Sequence, residues 1–308
     1  NRAWLADGDY IRAAPKFHLT WRAAIRAIMP LLVSLALATA AWGFLALFRN
    51  LPADTDTAAF GIIAGIGLVW TVLKWVLVVL RRPHAGPTGA PTDVIDEMLD
   101  AAALVLGTPT LIWLFIGGAL TSAAMNSLVA WSSSYLQREL GLTLLEVGRQ
   151  IGPVGLVAGV LGSWSGGRLG DALFDRIRSG RVVAGALGFL VGAPACVVML
   201  LISDVRLFGL LFFVTVFFYT WDNGPVAAVL FDVVPRRIAA TVMGAYVFFI
   251  HIAGDAIALP VVGALSDRFG LRPALLALPM VGLLGGVVLL FAVFTVARDM
   301  ARVREQAA

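Results

Sequence analysis

His251 and Asp255 stand four residues apart inside an apolar run between Arg237 and Asp267. Four residues are about one helical turn, so the two side chains share a face, and the run is long enough to cross a bilayer. An imidazole beside a carboxylate could take up and pass on a proton, because histidine changes charge near neutral pH. A carboxylate at the centre of a membrane helix costs about 3 kcal/mol even on an insertion scale, so a chain keeps one where it faces a polar cavity, a partner or a proton path. The plainer reading is that the two groups satisfy each other in helix packing.

A second carboxylate, Asp222, precedes Asn223, Gly224 and Pro225 in an equally apolar stretch. Proline removes a backbone donor and displaces the carbonyl one turn earlier, so a bend is expected near Trp221, with polar backbone beside the carboxylate. Tyr219 and Asn223 flank it. An ordinary kink with Asp222 paired to a base elsewhere is the competing reading. Asn126 and Trp131 supply a third polar patch, which either bonds across helices or faces a substrate cavity. With His251, Asp255 and Asp222 they form the candidate proton-coupling or substrate cavity; no catalytic group and no metal site are expected.

The segment GGRLGDALFDRIRSGR holds a different kind of chemistry. Asp171 and Asp175, one turn apart after Gly167, could hold Mg²⁺ as in alcohol phosphotransferases that build phospholipids. That signature also needs Asp-Gly and Ala-Arg upstream, where Pro153-Val154 and Val157-Ala158 stand. The other reading takes Gly167, Asp171, Arg176 and Arg181, with Arg236 and Arg237, as a charged gating loop between helices.

The elements that must position these groups are membrane helices. Sixty per cent hydrophobic and 14% charged residues, with a mean hydropathy of +0.90, exclude a soluble domain and indicate an all-α polytopic membrane protein. The net charge of +4 sits mostly on arginines in short loops, which speaks for membrane orientation; no nucleic-acid partner is expected. The sole cysteine, Cys196, cannot form a disulfide within the chain, and no cofactor is expected. Eight spans are predicted, at about 28 to 48, 59 to 80, 108 to 135, 148 to 169, 182 to 202, 206 to 231, 238 to 264 and 273 to 297. They follow a basic membrane-surface leader at 1–27. A Pro/Gly-rich, then acidic, linker at 81–107 separates the pair at 28–80 from a bundle at 108–297, and a tail covers 298–308. The arginine bias predicts that both ends are cytoplasmic. In the fourth span Gly152, Gly155, Gly159, Gly162, Gly166 and Gly170 mark one face for close helix contact.

Val234-Pro235-Arg236-Arg237, Ala240-Thr241, the run His251 to Ala256, then Pro260, Gly263, Ser266 and Asp267 together resemble the penultimate helix of Spinster-type transporters of the major facilitator superfamily. Tyr135 to Arg138, Gly141 to Thr143 and Glu146 to Gly148 resemble the seventh helix and following loop of that group, and the Gly167 to Arg181 loop resembles its inter-helix signature. Two positions depart from the pattern: Ala172 follows Asp171 where arginine is usual, and Ala258 stands where several relatives have serine. The resemblance covers 108–297, in the order of a C-terminal six-helix bundle, and implies a chain missing most of its N-terminal half. It further implies a secondary transporter of a lysophospholipid or sphingolipid-like amphiphile in a bacterial inner membrane. Its partners would be membrane lipid, the missing N-terminal half and, through His251 and Asp255, protons. A facilitator of a small polar metabolite or drug is the alternative.

Overall fold

The computed structural model describes residues 94–307 and isolated helical positions between 31 and 76. The expected leader and both spans before residue 81 lie outside the described residues. By contacts the chain divides into two compact units, Asn1–Gly107 and Thr108–Ala308. In the first, the described helix is α1 (Val94–Gly107), which covers the acidic half of the expected linker.

The second unit holds six helices long and apolar enough to cross a membrane: α2 (Pro109–Leu140), α3 (Leu144–Phe174), α4 (Gly180–Leu201), α5 (Val205–Asp232), α6 (Arg236–Phe269) and α7 (Leu271–Phe294). A seventh, α8 (Val296–Ala307), is short and polar. Each of the six expected spans beyond residue 107 is present, and three, α2, α3 and α6, run several residues longer than the apolar core that announced them.

Local chemistry sets the ends. Pro109 opens α2 in the first turn, where its missing N–H costs nothing. Gly141 closes α2 at φ +70°, a left-handed cap. Thr143 and Glu146 form a reciprocal capping box at the start of α3. The Asp204 carboxylate accepts from the Leu207 amide at 2.8 Å and caps α5. Between α3 and α4 the chain turns so tightly that a Cβ on Gly180 would run into the Leu173 and Phe174 backbone.

Helix α7 packs chiefly on α2 and α4, while α5 lies against α3 and α4. Helix α6 reaches α2 through its middle turn and α7 through its second half. The apolar stretches of α2 and α4 are more than half buried, against 11% for α3 and α6. Leu156, Val160 and Trp164 on α3 and Phe248, Ile257 and Val261 on α6 are exposed accordingly, as suits helices whose outer faces meet lipid or another bundle.

Two helices are broken where the sequence placed its carboxylates. A 3₁₀ turn over Thr220–Asp222 interrupts α5, three residues before Pro225, as the Asn-Gly-Pro run requires. A π-helical turn over Ile250–Asp255 interrupts α6; such turns insert one residue and recur at functional sites. Gly254 within it lies so close to the Ala119 carbonyl of α2 that a Cβ would collide.

Candidate functional site

Both breaks face the same stretch of α2 and enclose a cavity of about 340 Å³. Helix α2 contributes Thr121, Ser122 and Asn126, α4 contributes Phe189, α5 contributes Tyr219, Asp222 and Asn223, and α6 contributes Tyr246 and His251.

Asp255 organises one wall. Its Oδ1 accepts from the Ser122 hydroxyl at 2.7 Å, and its Oδ2 accepts from Asn126 Nδ2 at 2.9 Å and lies 2.6 Å from His251 Nδ1. Asn126 also donates to Ser122 Oγ at 3.0 Å, which fixes the two donors relative to each other. Three donors thus converge on two oxygens. A carboxylate accepts, so His251 carries its hydrogen on Nδ1 and keeps the Nε2 lone pair free. The His251 side chain is 56% exposed while Asp255 is 14% exposed, so the charge is sheltered and the titratable ring faces the cavity.

Asp222 occupies the opposite wall. Its Oδ2 accepts from the Thr121 hydroxyl at 3.3 Å. Beside it Asn223 Nδ2 donates to Ser163 Oγ of α3 at 3.2 Å, and Tyr219 stacks on Phe189 with ring centroids 4.5 Å apart.

Trp131 is not part of this cavity; its indole lies against Gly263. Five residues from Asn126 rotate it by about 140° around α2, whereas Ser122, four residues back, shares Asn126's face. Of the aromatics flanking the breaks, Tyr219 lines the cavity. Phe217 and Phe218 pack on Trp221, Phe249 packs on Phe115, and Phe248 is exposed.

A second cluster closes one end of the bundle. Arg181 Nε and Nη2 reach Asp171 Oδ1 at 3.0 and 2.8 Å, and its Nη1 donates to Asp232 Oδ2. One guanidinium thus joins α3, α4 and α5, with the Phe174 ring 4.2 Å beneath it. Asp171 is engaged by arginine, and no group of three or more metal-ligating side chains occurs among the described residues. A Cβ on Gly167 would meet nothing within 4 Å, although its own Cα lies near Gly224. Arg176, Arg236 and Arg237 are exposed and stand outside the bridge.

Ser122, Thr121, Tyr246 and Asp232 are site residues that the sequence reading passed over. Ser122 could have been found from its i, i+4 relation to Asn126, and Asp232 from its place just before the Pro-Arg-Arg run. Thr121 and Tyr246 carry no such signal.

Known proteins agree with this architecture. The Major Facilitator Superfamily profile matches residues 17–254. An "MFS-type efflux pump" of Mycolicibacterium smegmatis is 29% identical over 209 residues, which are 68% of this chain and 48% of the pump. The chain therefore spans about half the length of that curated relative. Two crystal structures of a bacterial homologue of the human lysosomal transporter Spinster share the fold. The inward-facing, unoccupied form superposes with a TM-score of 0.59 at 16% identity over 89% of this chain and 69% of its own. The inward-facing, occupied form gives 0.58 at 15%, over 89% and 68%. With six apolar helices, two of them broken around a shared polar cavity, and a profile match over most of its length, this chain is an integral membrane protein that belongs to the Major Facilitator Superfamily.

Proposed function

We propose that this chain is part of a secondary transporter that works by alternating access and couples movement of a lysophospholipid or sphingolipid-like amphiphile to protons through His251 and Asp255. One observation carries the coupling: Asp255 is held by three donors and hands its tautomer-fixing contact to a half-exposed imidazole. Protonation of Nε2 turns the pair into an imidazolium–carboxylate pair, and its loss restores a neutral ring beside a sheltered, hydrogen-bonded charge. The cavity then differs by one charge between its two states, and that difference can bias a rocking equilibrium.

Alternating access requires a second six-helix bundle opposite this one, and the exposed apolar faces of α3 and α6 are suited to it and to lipid. We place the protein in the bacterial inner membrane with both ends of this chain cytoplasmic, the side on which the arginine-rich loops would lie. The Arg181 bridge fits a gate between helices and leaves Asp171 unsuited to a phosphotransferase metal. The efflux-pump relative lends some support to a second reading, a facilitator of a small polar metabolite or drug.

Reconstituting the full-length protein in liposomes with an imposed pH gradient tests the reading. Asp255→Asn should insert and fold yet lose proton-driven lysophospholipid transport. Normal coupled transport by that variant would remove Asp255 from the mechanism, and competition by sugars or organic anions but not by lysolipids would favour the second reading.

A further inference from the structure

Asp222 differs from five other acidic groups of its unit. Asp171, Asp232, Asp255, Asp299 and Glu139 each lie within 4.0 Å of an arginine or histidine nitrogen. Among the described residues Asp222 has a single side-chain donor, the Thr121 hydroxyl, at a distance long for a bond to a charge. No lysine or arginine lines its cavity among the described residues. A carboxylate at membrane depth whose own oxygens meet no base is rare enough to mark a ligand site.

The surroundings define the ligand. Phe189 and Tyr219 are 1% exposed, Tyr246 is 7% exposed, and all three line the cavity. Aromatic rings that line one cavity with a carboxylate can stabilise a cation, and they suit an ammonium best because it needs no fixed hydrogen-bond geometry. Met243 and Val226 add apolar wall for the carbons beyond the charge. A headgroup that ends in an anion would instead meet the Asp222 carboxylate, with His251 the one ionisable base among the described residues of the cavity wall.

We propose that this cavity takes the ammonium head of an amphiphile, with Asp222 as counter-ion and Phe189, Tyr219 and Tyr246 as aromatic wall. The inference rests on the transporter reading above and narrows its substrate class to amphiphiles with a quaternary or primary ammonium.

Equilibrium binding of radiolabelled decyltrimethylammonium to the full-length protein in liposomes tests it, with decyl sulfate and the uncharged isostere carrying carbon in place of nitrogen as competitors. The wild type should prefer the ammonium over the isostere by at least about tenfold, and Asp222→Asn should raise its Kd by a similar factor. Asp222→Glu should recover most of the affinity, which a merely structural role would not predict. Equal binding of ammonium and isostere by the wild type overturns the proposal without relying on any variant. So does tight binding of decyl sulfate, or an unchanged Kd in a folded Asp222→Asn. A wild type that moves lysophospholipid with protons but shows no ammonium preference sinks this inference alone. Ammonium preference in a protein that carries no amphiphile across the bilayer upholds this inference and sinks the transporter reading.

Discussion

Gly166→Ala should destabilise the protein and disturb its cavity, whereas Gly159→Ala on the same helix should not. In α3 a Cβ at Gly166 would stand 2.5 Å from Trp221 Cα and 2.7 Å from the Trp221 carbonyl oxygen. Ordinary carbon contacts begin near 3.4 Å, so α5 must retreat by nearly an ångström. Backbone cannot rotate aside as a side chain can. Overpacking of this kind costs about 1–3 kcal/mol, and a gap of that size forfeits a quarter to a half of each neighbouring dispersion contact. Helix propensity returns about 1 kcal/mol when alanine replaces glycine. The net is a loss of up to about 2 kcal/mol. At Gly159 a Cβ meets nothing within 4 Å, so the propensity gain stands alone and the variant should match or slightly exceed the parent. Thermal unfolding of both full-length variants in detergent reads the difference. Because Trp221 belongs to the Thr220–Asp222 turn, Gly166→Ala should also weaken substrate transport. Indistinguishable melting of the two variants would refute the close approach of α3 and α5.

Three further outcomes follow from particular contacts. Arg181→Lys replaces a forked group by a single ammonium that cannot bridge Asp171 and Asp232 together; initial transport rates should fall with substrate affinity kept, and an unchanged rate would dismiss the bridge as a gate. Asp299 is 3% exposed, and its Oδ2 accepts from the Thr110 amide at 3.1 Å and the Thr110 hydroxyl at 2.7 Å, capping α2 from α8; Asp299→Ala should cost about 1–2 kcal/mol in thermal unfolding. Ser122→Ala and Asn126→Ala each remove one donor from Asp255, worth about 1.5–3 kcal/mol to a charged acceptor, and each should reduce proton-coupled uptake less than Asp255→Asn does.

What the sequence disclosed and what it withheld divide along the range of the interaction. Apolar runs announced the six helices beyond residue 107, and Asn223-Gly224-Pro225 announced the break in α5, because both signals are local. The His251–Asp255 contact was legible for the same reason, being one turn long. Ser122 and Asn126 stood 133 and 129 residues from their acceptor, a pairing that no spacing rule supplies. The π-helical turn was equally hidden. It goes with the seating of Gly254 on the Ala119 carbonyl, and a glycine six residues before a proline in an apolar run does not say which helix it will meet. The six-glycine stripe shows the limit of periodicity. Gly162, Gly166 and Gly170 press on α5, Gly155 touches Phe212, and Gly152 and Gly159 meet no atom within 4 Å. A helix crossing at an angle uses only part of such a stripe.

The two carboxylates of the cavity are tied to consecutive residues of one helix, Asp222 to Thr121 and Asp255 to Ser122. Consecutive side chains on a helix point about 100° apart, so α2 stands between a broken α5 on one side and a broken α6 on the other. Rotation of α2 by a fraction of a turn cannot improve one contact without straining the other. On the proposed roles, filling the Asp222 side with a cation and protonating the His251 side would be linked through α2, with no direct contact between the two ligands, and the linkage would be reciprocal. Shortening Thr121 to alanine cuts one tie only. In Thr121→Ala, substrate binding should persist while its dependence on the proton at His251 weakens, measured as decyltrimethylammonium affinity with His251 intact and as His251→Gln. An undiminished difference between those two backgrounds would mean that α2 does not carry the coupling.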